Sequence, residues 1–106
     1  MSSRSQAAPP FALTGGNGQL QAEGPLTFAS ARRARELGLD AVGAANALVI
    51  DCHGITVSDS AGLAVLLDWL AAARAQGRSL RFTDLPQGLA ALGQISEVYE
   101  LLERGV

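Results

Sequence analysis

Residues 46–52, NALVIDC, constrain this chain more than any other stretch. A continuous apolar run with β-branched Val49 and Ile50 at its centre reads as a strand covered on both faces, or as the central strand of a mixed sheet. Helical patterns flank it. Upstream, Ala31, Ala34, Leu37 and Ala41 recur at a 3–4 spacing, which predicts a helix from about Thr27 to Ala41 with Pro25 and Thr27 as entry signals. Downstream, Leu63, Leu66, Leu67 and Leu70 form one stripe of a helix over Ser60–Gln76, with Gly77 placed as its stop. The intervening HGITVSD reads as a loop, with His53 as a turn residue.

A strand between two helices needs partners, and the rest of the chain supplies them. FALTGGNGQLQAEG predicts strands at Phe11–Thr14 and Gln19–Glu23 around a hairpin turn at Asn17-Gly18. Gly15, Gly16 and Gly18 do not read as a phosphate cradle, because a strand pattern rather than a helix follows them. SLRFTDL alternates Leu80 and Phe82 with Arg81 and Thr83, the period of a half-buried strand. Pro86 opens a further helix carrying Leu89 and Leu92, and Ser96 caps a last short one carrying Val98, Leu101 and Leu102. The order β-β-α-β-α-β-α-α predicts an α/β fold: one small four-stranded mixed sheet with its helices packed mostly on one face. One domain is expected over residues 11–106, after a flexible polar segment at 1–10.

Composition removes several function classes. The net charge is −2, and all eight basic side chains are Arg, too few for nucleic acid as the main partner. Residues 1–10 lack the apolar run of a signal peptide, and no stretch approaches the ~18 apolar residues of a membrane span. The single Cys52 has no internal disulfide partner, which points to a reducing, cytoplasmic location. One His and one Cys do not make a metal site, and no cofactor is expected.

The candidate site is VSDSAGLAVLL, residues 57–67. Ser60 as a nucleophile needs a base and a group that orients it. The one histidine, His53, lies seven residues upstream, and no nucleophile-elbow motif surrounds the serine. No enzyme activity is expected. Asp59 or Ser60 instead reads as the cap of the following helix. Gly62 in the first turn costs up to ~1 kcal/mol relative to Ala, which implies a close approach to the backbone there. A phosphate on Ser60 would sit at a helix N-terminus, where negative charge is tolerated. The side of this helix opposite the leucine stripe carries Ala61, Ala64, Val65, Ala72 and Ala75 with Trp69 at its flank and Asp68 as its only charge. That side reads as a docking surface or as the edge of the core. Arg32, Arg33 and Arg35 form a basic face that reads as a solvated surface or as a site for an acidic partner.

The strand ending at Asp51, DSAGL opening a helix, and GRSLRFTDLP together resemble the STAS domain of sulfate transporters and anti-sigma factor antagonists, over about Phe11–Leu102. LTF at 26–28, DSAGLAVLLDWL and LRFTDLPQGLAAL resemble in particular the STAS subunit of Mla-type ABC transporters, which maintain outer-membrane lipid asymmetry. That resemblance implies a non-catalytic cytoplasmic subunit, associated with the inner membrane through its complex, that binds the transporter's ATPase subunit. The alternative is an anti-sigma factor antagonist, in which the position of Ser60 is phosphorylated by a partner kinase. The expected docking surface comprises His53, Ser58, Asp59, Ser60, Ala61, Gly62, Ala64, Val65 and Trp69.

Overall fold

The computed structural model describes residues 10–106. The flexible segment expected at 1–10 therefore lies, apart from Pro10, outside the described residues. Strands β1 (Ala12–Gly16) and β2 (Gln19–Leu26) form an antiparallel hairpin, followed by α1 (Ala31–Ala44), β3 (Ala47–Ser58), α2 (Ser60–Ala75), β4 (Ser79–Thr83), α3 (Gln87–Ile95) and α4 (Tyr99–Arg104). The hairpin closes through Asn17 and Gly18, whose φ angles of 56° and 79° are those a two-residue turn of this hand needs.

The sheet order is β1-β2-β3-β4, with β2, β3 and β4 parallel and β1 antiparallel at the edge. The expected α/β fold, element order and mixed four-stranded sheet are all present. Leu48, Ile50 and Cys52 of β3, Ala22 of β2, and Leu80 and Phe82 of β4 are buried on the helix side. The opposite face shows Gln19, Gln21, Glu23, Arg81 and Thr83 to solvent, with Val49 and Asp51 half-buried. One covered face and one wet face is the pattern of a two-layer fold. NALVIDC is thus the centre of a mixed sheet and not a strand covered on both sides.

Four local expectations need correction. HGITVSD is not a loop: β3 runs on to Ser58, paired with β2 through Gly54, Ile55 and Ser58 across register shifts. His53 is accordingly an exposed strand residue, its backbone N–H donating to the Asp51 carboxylate at 2.8 Å. Helix α1 begins at Ala31, because residues 27–30 close a turn with Ser30 N–H on the Thr27 carbonyl. Ser96 does not cap α4; its N–H closes α3 onto Leu92, and Glu97 at φ 62° reverses the chain before Tyr99.

The correction that matters most concerns α2. Its buried residues are Gly62, Leu63, Val65, Leu66, Trp69, Leu70 and Ala73, a stripe centred roughly a fifth of a turn away from the leucine stripe. The cause is α1, which lies beside α2 in the same direction: Arg35 meets Asp68, and Gly38 meets the Trp69 ring. Trp69 is 0% exposed, flanked by Phe11 and Phe82 at centroid distances of 6.2 and 6.4 Å. Its indole N–H donates to the Arg35 carbonyl at 3.3 Å. The alanine-rich side of α2 is in part the seat of another helix. Trp69 belongs to the core.

Candidate functional site

Each of the parallel strands β2, β3 and β4 leads into a helix at the same end of the molecule, and two of these crossings, Leu26–Ala31 and Ser58–Ser60, are tied together. Asp59 joins the two crossings. One carboxylate oxygen accepts the Gly62 N–H of α2 at 3.0 Å, and the other accepts the Phe28 N–H at 3.0 Å. Asp59, and not Ser60, is the N-cap of α2. The Phe28 hydrogen bond, then that of Gly62, holds the Asp59 carboxyl below its ordinary range, since both donors favour the charged form.

Ser60 follows as the first residue of α2 and is exposed. Its hydroxyl makes no hydrogen bond among the described residues. Ala61 is half-buried and Ala64 exposed, so these face outward as expected. Ser58 is half-buried at the end of β3, beside Leu26 and close to Gly88 in the first turn of α3. Gly62 and Val65 are buried and join Trp69 inside. A Cβ at Gly62 would run into the Leu26 carbonyl of β2, so the close approach inferred for Gly62 is made by the protein's own strand. His53 lies five strand residues from Ser58, on the order of 15 Å away, and is not part of this cluster. The structure gathers Ser58, Asp59, Ser60, Ala61 and Ala64, with Gly62 and Val65 buried beside them, and sets His53 and the core residue Trp69 apart.

Two exposed apolar side chains at this end of the molecule are not marked by the sequence pattern. Phe28 is 83% exposed, and Val57 at the end of β3 is 55% exposed. The signal was Ser30: a hydroxyl residue directly before ARRARE marks a later helix start, which leaves Phe28 in the turn. In that turn the Ser30 hydroxyl accepts from Thr27 N–H at 3.0 Å and donates to the Pro25 carbonyl at 2.7 Å.

This arrangement presents a hydroxyl; it does not activate one. The Asp59 carboxylate is occupied by two backbone amides, and no histidine is in reach of Ser60. Among the described residues no three His, Cys, Asp or Glu side chains group as a metal site, and no helix is long and apolar enough to cross a membrane. What remains is a fixed helix start with an exposed serine, small neighbours and an exposed aromatic ring, which are the ingredients of a protein contact.

Comparison with known proteins bears on the fold and the family. Several solved structures share the fold. A candidate anti-sigma factor antagonist from Thermotoga maritima superposes with a TM-score of 0.71 at 11% identity, covering 88% of this chain and 83% of that one. The unphosphorylated form of the anti-sigma factor antagonist SpoIIAA gives 0.59 at 15% identity, over 86% of this chain and 82% of that one. No curated protein matches the chain by sequence. The family model described as the MlaB STAS domain matches residues 11–103, and the chain belongs to that family of STAS domains.

Proposed function

We propose that this protein is a non-catalytic, cytoplasmic binding subunit that docks through the Asp59–Ala64 end of α2 onto the ATPase subunit of an ABC-type phospholipid transporter. The match to the MlaB branch of STAS domains carries the reading, and the absence of a base beside Ser60 supports binding over catalysis. In this role Ser60 is a neutral contact at the rim of the interface. The test is co-purification with the ATPase subunit of the Mla-type transporter from the same organism. Ser60→Asp, which places an anion beside Asp59, is expected to weaken binding, whereas Ser60→Ala leaves the melting temperature unchanged because Asp59 is the cap. Wild-type binding by Ser60→Asp would refute the proposed surface.

A second reading has an observation of its own: both solved structures named above are given as anti-sigma factor antagonists. Under it, a partner kinase phosphorylates Ser60, and that phosphate switches binding to the kinase. Ser60 is exposed and uncommitted in its hydrogen bonding, as a kinase substrate must be. Phosphorylation at Ser60 that alone toggles binding would decide for this reading.

A further inference from the structure

The two edges of the sheet are finished differently. At β4 the chain closes its own edge: the N–H and carbonyl of Leu80 exchange hydrogen bonds with Val106 at 3.2 and 2.9 Å. At β1 nothing among the described residues does the same. Ala12, Thr14 and Gly16 bond to Glu23, Gln21 and Gln19 of β2 above the two-residue turn, so Leu13 between them turns its N–H and carbonyl outward. Neither group has a hydrogen-bond partner among the described residues. Open edges are ordinarily blunted by a charge, a proline or a bulge. Ala12–Gly16 carries none of the three. Gly15, at φ 117°, bends the strand beyond Leu13, which leaves a short free ladder centred on that leucine.

The helix layer above this edge adds a second observation. Arg35 of α1 faces α2 through Asp68. At about 100° per residue, Arg33, Leu37 and Asp40 cluster roughly 140–200° round the helix from it, on the flank turned away from α2. Ala41 and Ala44, further along α1, line a groove with Gly16, Gly18 and Leu20 of the hairpin, so that flank lies over the hairpin. Leu13 is half-buried on the helix side, opposite the buried Ala22, and Leu37 is half-buried as well. Arg33 and Asp40 are exposed and form no ion pair among the described residues. Along α1 the flank reads cation, leucine, anion.

That order selects the occupant of the edge. A two-fold axis at Leu13 sets β1 antiparallel to β1 of a second copy, and α1 then runs opposite to its mate. Arg33 stands against Asp40 of the second copy, Asp40 against its Arg33, and the two Leu37 side chains lie between them. β1 has no charge of its own to repel its mate. A strand from an unrelated protein would find the same amides, but not a flank complementary to itself.

We propose that two copies of this chain join through β1, antiparallel strand to strand, making one eight-stranded sheet from two of four, with Arg33 and Asp40 fixing the register. The contact lies on the side of α1 away from α2, leaves Ser60 open, and does not rest on the docking role proposed above. A short ladder and one leucine from each helix make a contact at the low end of specific interfaces, so half-association is expected at roughly tens to hundreds of micromolar.

Sedimentation velocity over a concentration series from about 1 μM to about 1 mM tests this. The wild type is expected to pass from monomer to dimer across that range, and more readily at low salt than at high. Arg33→Glu and Asp40→Arg each place like charges across the axis and should weaken association at least about tenfold. The double variant Arg33→Glu/Asp40→Arg should restore it, and so should an equimolar mixture of the two single variants. All should melt like the wild type, because both side chains are exposed and each new charge suits the end of the α1 dipole it occupies. Hydrogen exchange locates the contact: the Leu13 amide should exchange freely in dilute protein and slow as the dimer forms. A chain that stays monomeric at about 1 mM, a double variant that does not recover, or association with Leu13 still exchanging freely would overturn the proposal. So would a Leu13 amide already protected in the dilute monomer, since the edge would then be covered within one chain.

Discussion

Trp69→Ala separates the structure from a surface reading of the same residue. A tryptophan on an exposed docking face could be removed with the fold intact and binding lost. The structure instead puts the whole ring inside, between Phe11, Phe82 and the Gly38 backbone of α1. Burying an aromatic side chain of this size removes about 200 Å² from water, worth at most ~5 kcal/mol at 25 cal/mol per Å². Trp→Ala replacements in cores cost about 3–5 kcal/mol, in line with that limit. For a domain of this length each kcal/mol lowers the melting temperature by about 4–8 °C, so the expected drop is roughly 12–40 °C. That is a large part of the ~5–15 kcal/mol that holds a small domain folded. Thermal melts followed by circular dichroism measure it directly. The wild-type protein offers a second readout, because Trp69 is its one tryptophan: emission should be blue-shifted in the native state and move to the red on unfolding. Trp69→Phe, which keeps a ring between Phe11 and Phe82, should lose much less. A melting shift below about 4 °C for Trp69→Ala, equivalent to under ~1 kcal/mol, would refute the packing argument.

Gly62→Ala should destabilise the protein by about 1–3 kcal/mol in a denaturant titration, even though alanine is the better helix former, because the new methyl group meets the Leu26 carbonyl. Asp59 has its carboxyl held below the ordinary range, so its contribution to stability is complete above that range and is lost as pH falls through the native value. Asp59→Asn should therefore be less stable at neutral pH and show a shallower loss on acidification, read from melting temperatures between neutral pH and strongly acidic buffer. Burial, with Asp51 and Asp84 adding to it, pushes the Cys52 thiol up to about 12. The native thiol should resist iodoacetamide at neutral pH and react only as the protein unfolds, and stability should fall as pH rises above 9.0, where the unfolded thiol ionises first.

Elements whose periodicity was unambiguous were legible in the sequence, and those decided by a neighbour were not. The hairpin at Asn17-Gly18 and the span of α2 followed from local chemistry: residues tolerant of positive φ, a capping Asp and an apolar period. The length of β3 did not, because HGITVS is polar enough to resemble a loop and is held as strand only by pairing with β2. The start of α1 was misplaced for a related reason. Thr27 is a good helix entry on its own, but the turn at 27–30 is fixed by Ser30 and by Asp59, 31 residues along the chain from Phe28. The leucine stripe of α2 describes a helix resting on a sheet alone, which leaves Trp69 at its flank; α1 alongside widens what must be apolar and takes Trp69 into the core. The candidate site was legible only where one residue acts through its own neighbours, as Asp59 does on Gly62.

The five residues DSAGL show why so short a motif can mark both the fold and its working surface. Each position is constrained by a different partner. Asp59 caps α2 and at the same time holds the Phe28 turn. Ser60 faces solvent. Ala61 is half-buried and lines the groove between α1 and α2. Gly62 lets the helix start pass against the Leu26 carbonyl, and Leu63 enters the core. Only Ser60 is free of structural duty, so it is the one position where charge can change without unfolding the end of the helix. Asp59 fixes the Phe28 backbone and the start of α2 to one another, so the turn before α1 and the helix that opens at Ser60 are held in one relative position. Under the docking role proposed above, a charge at Ser60 would act on the partner directly, with no movement needed within the domain, because that position already faces solvent.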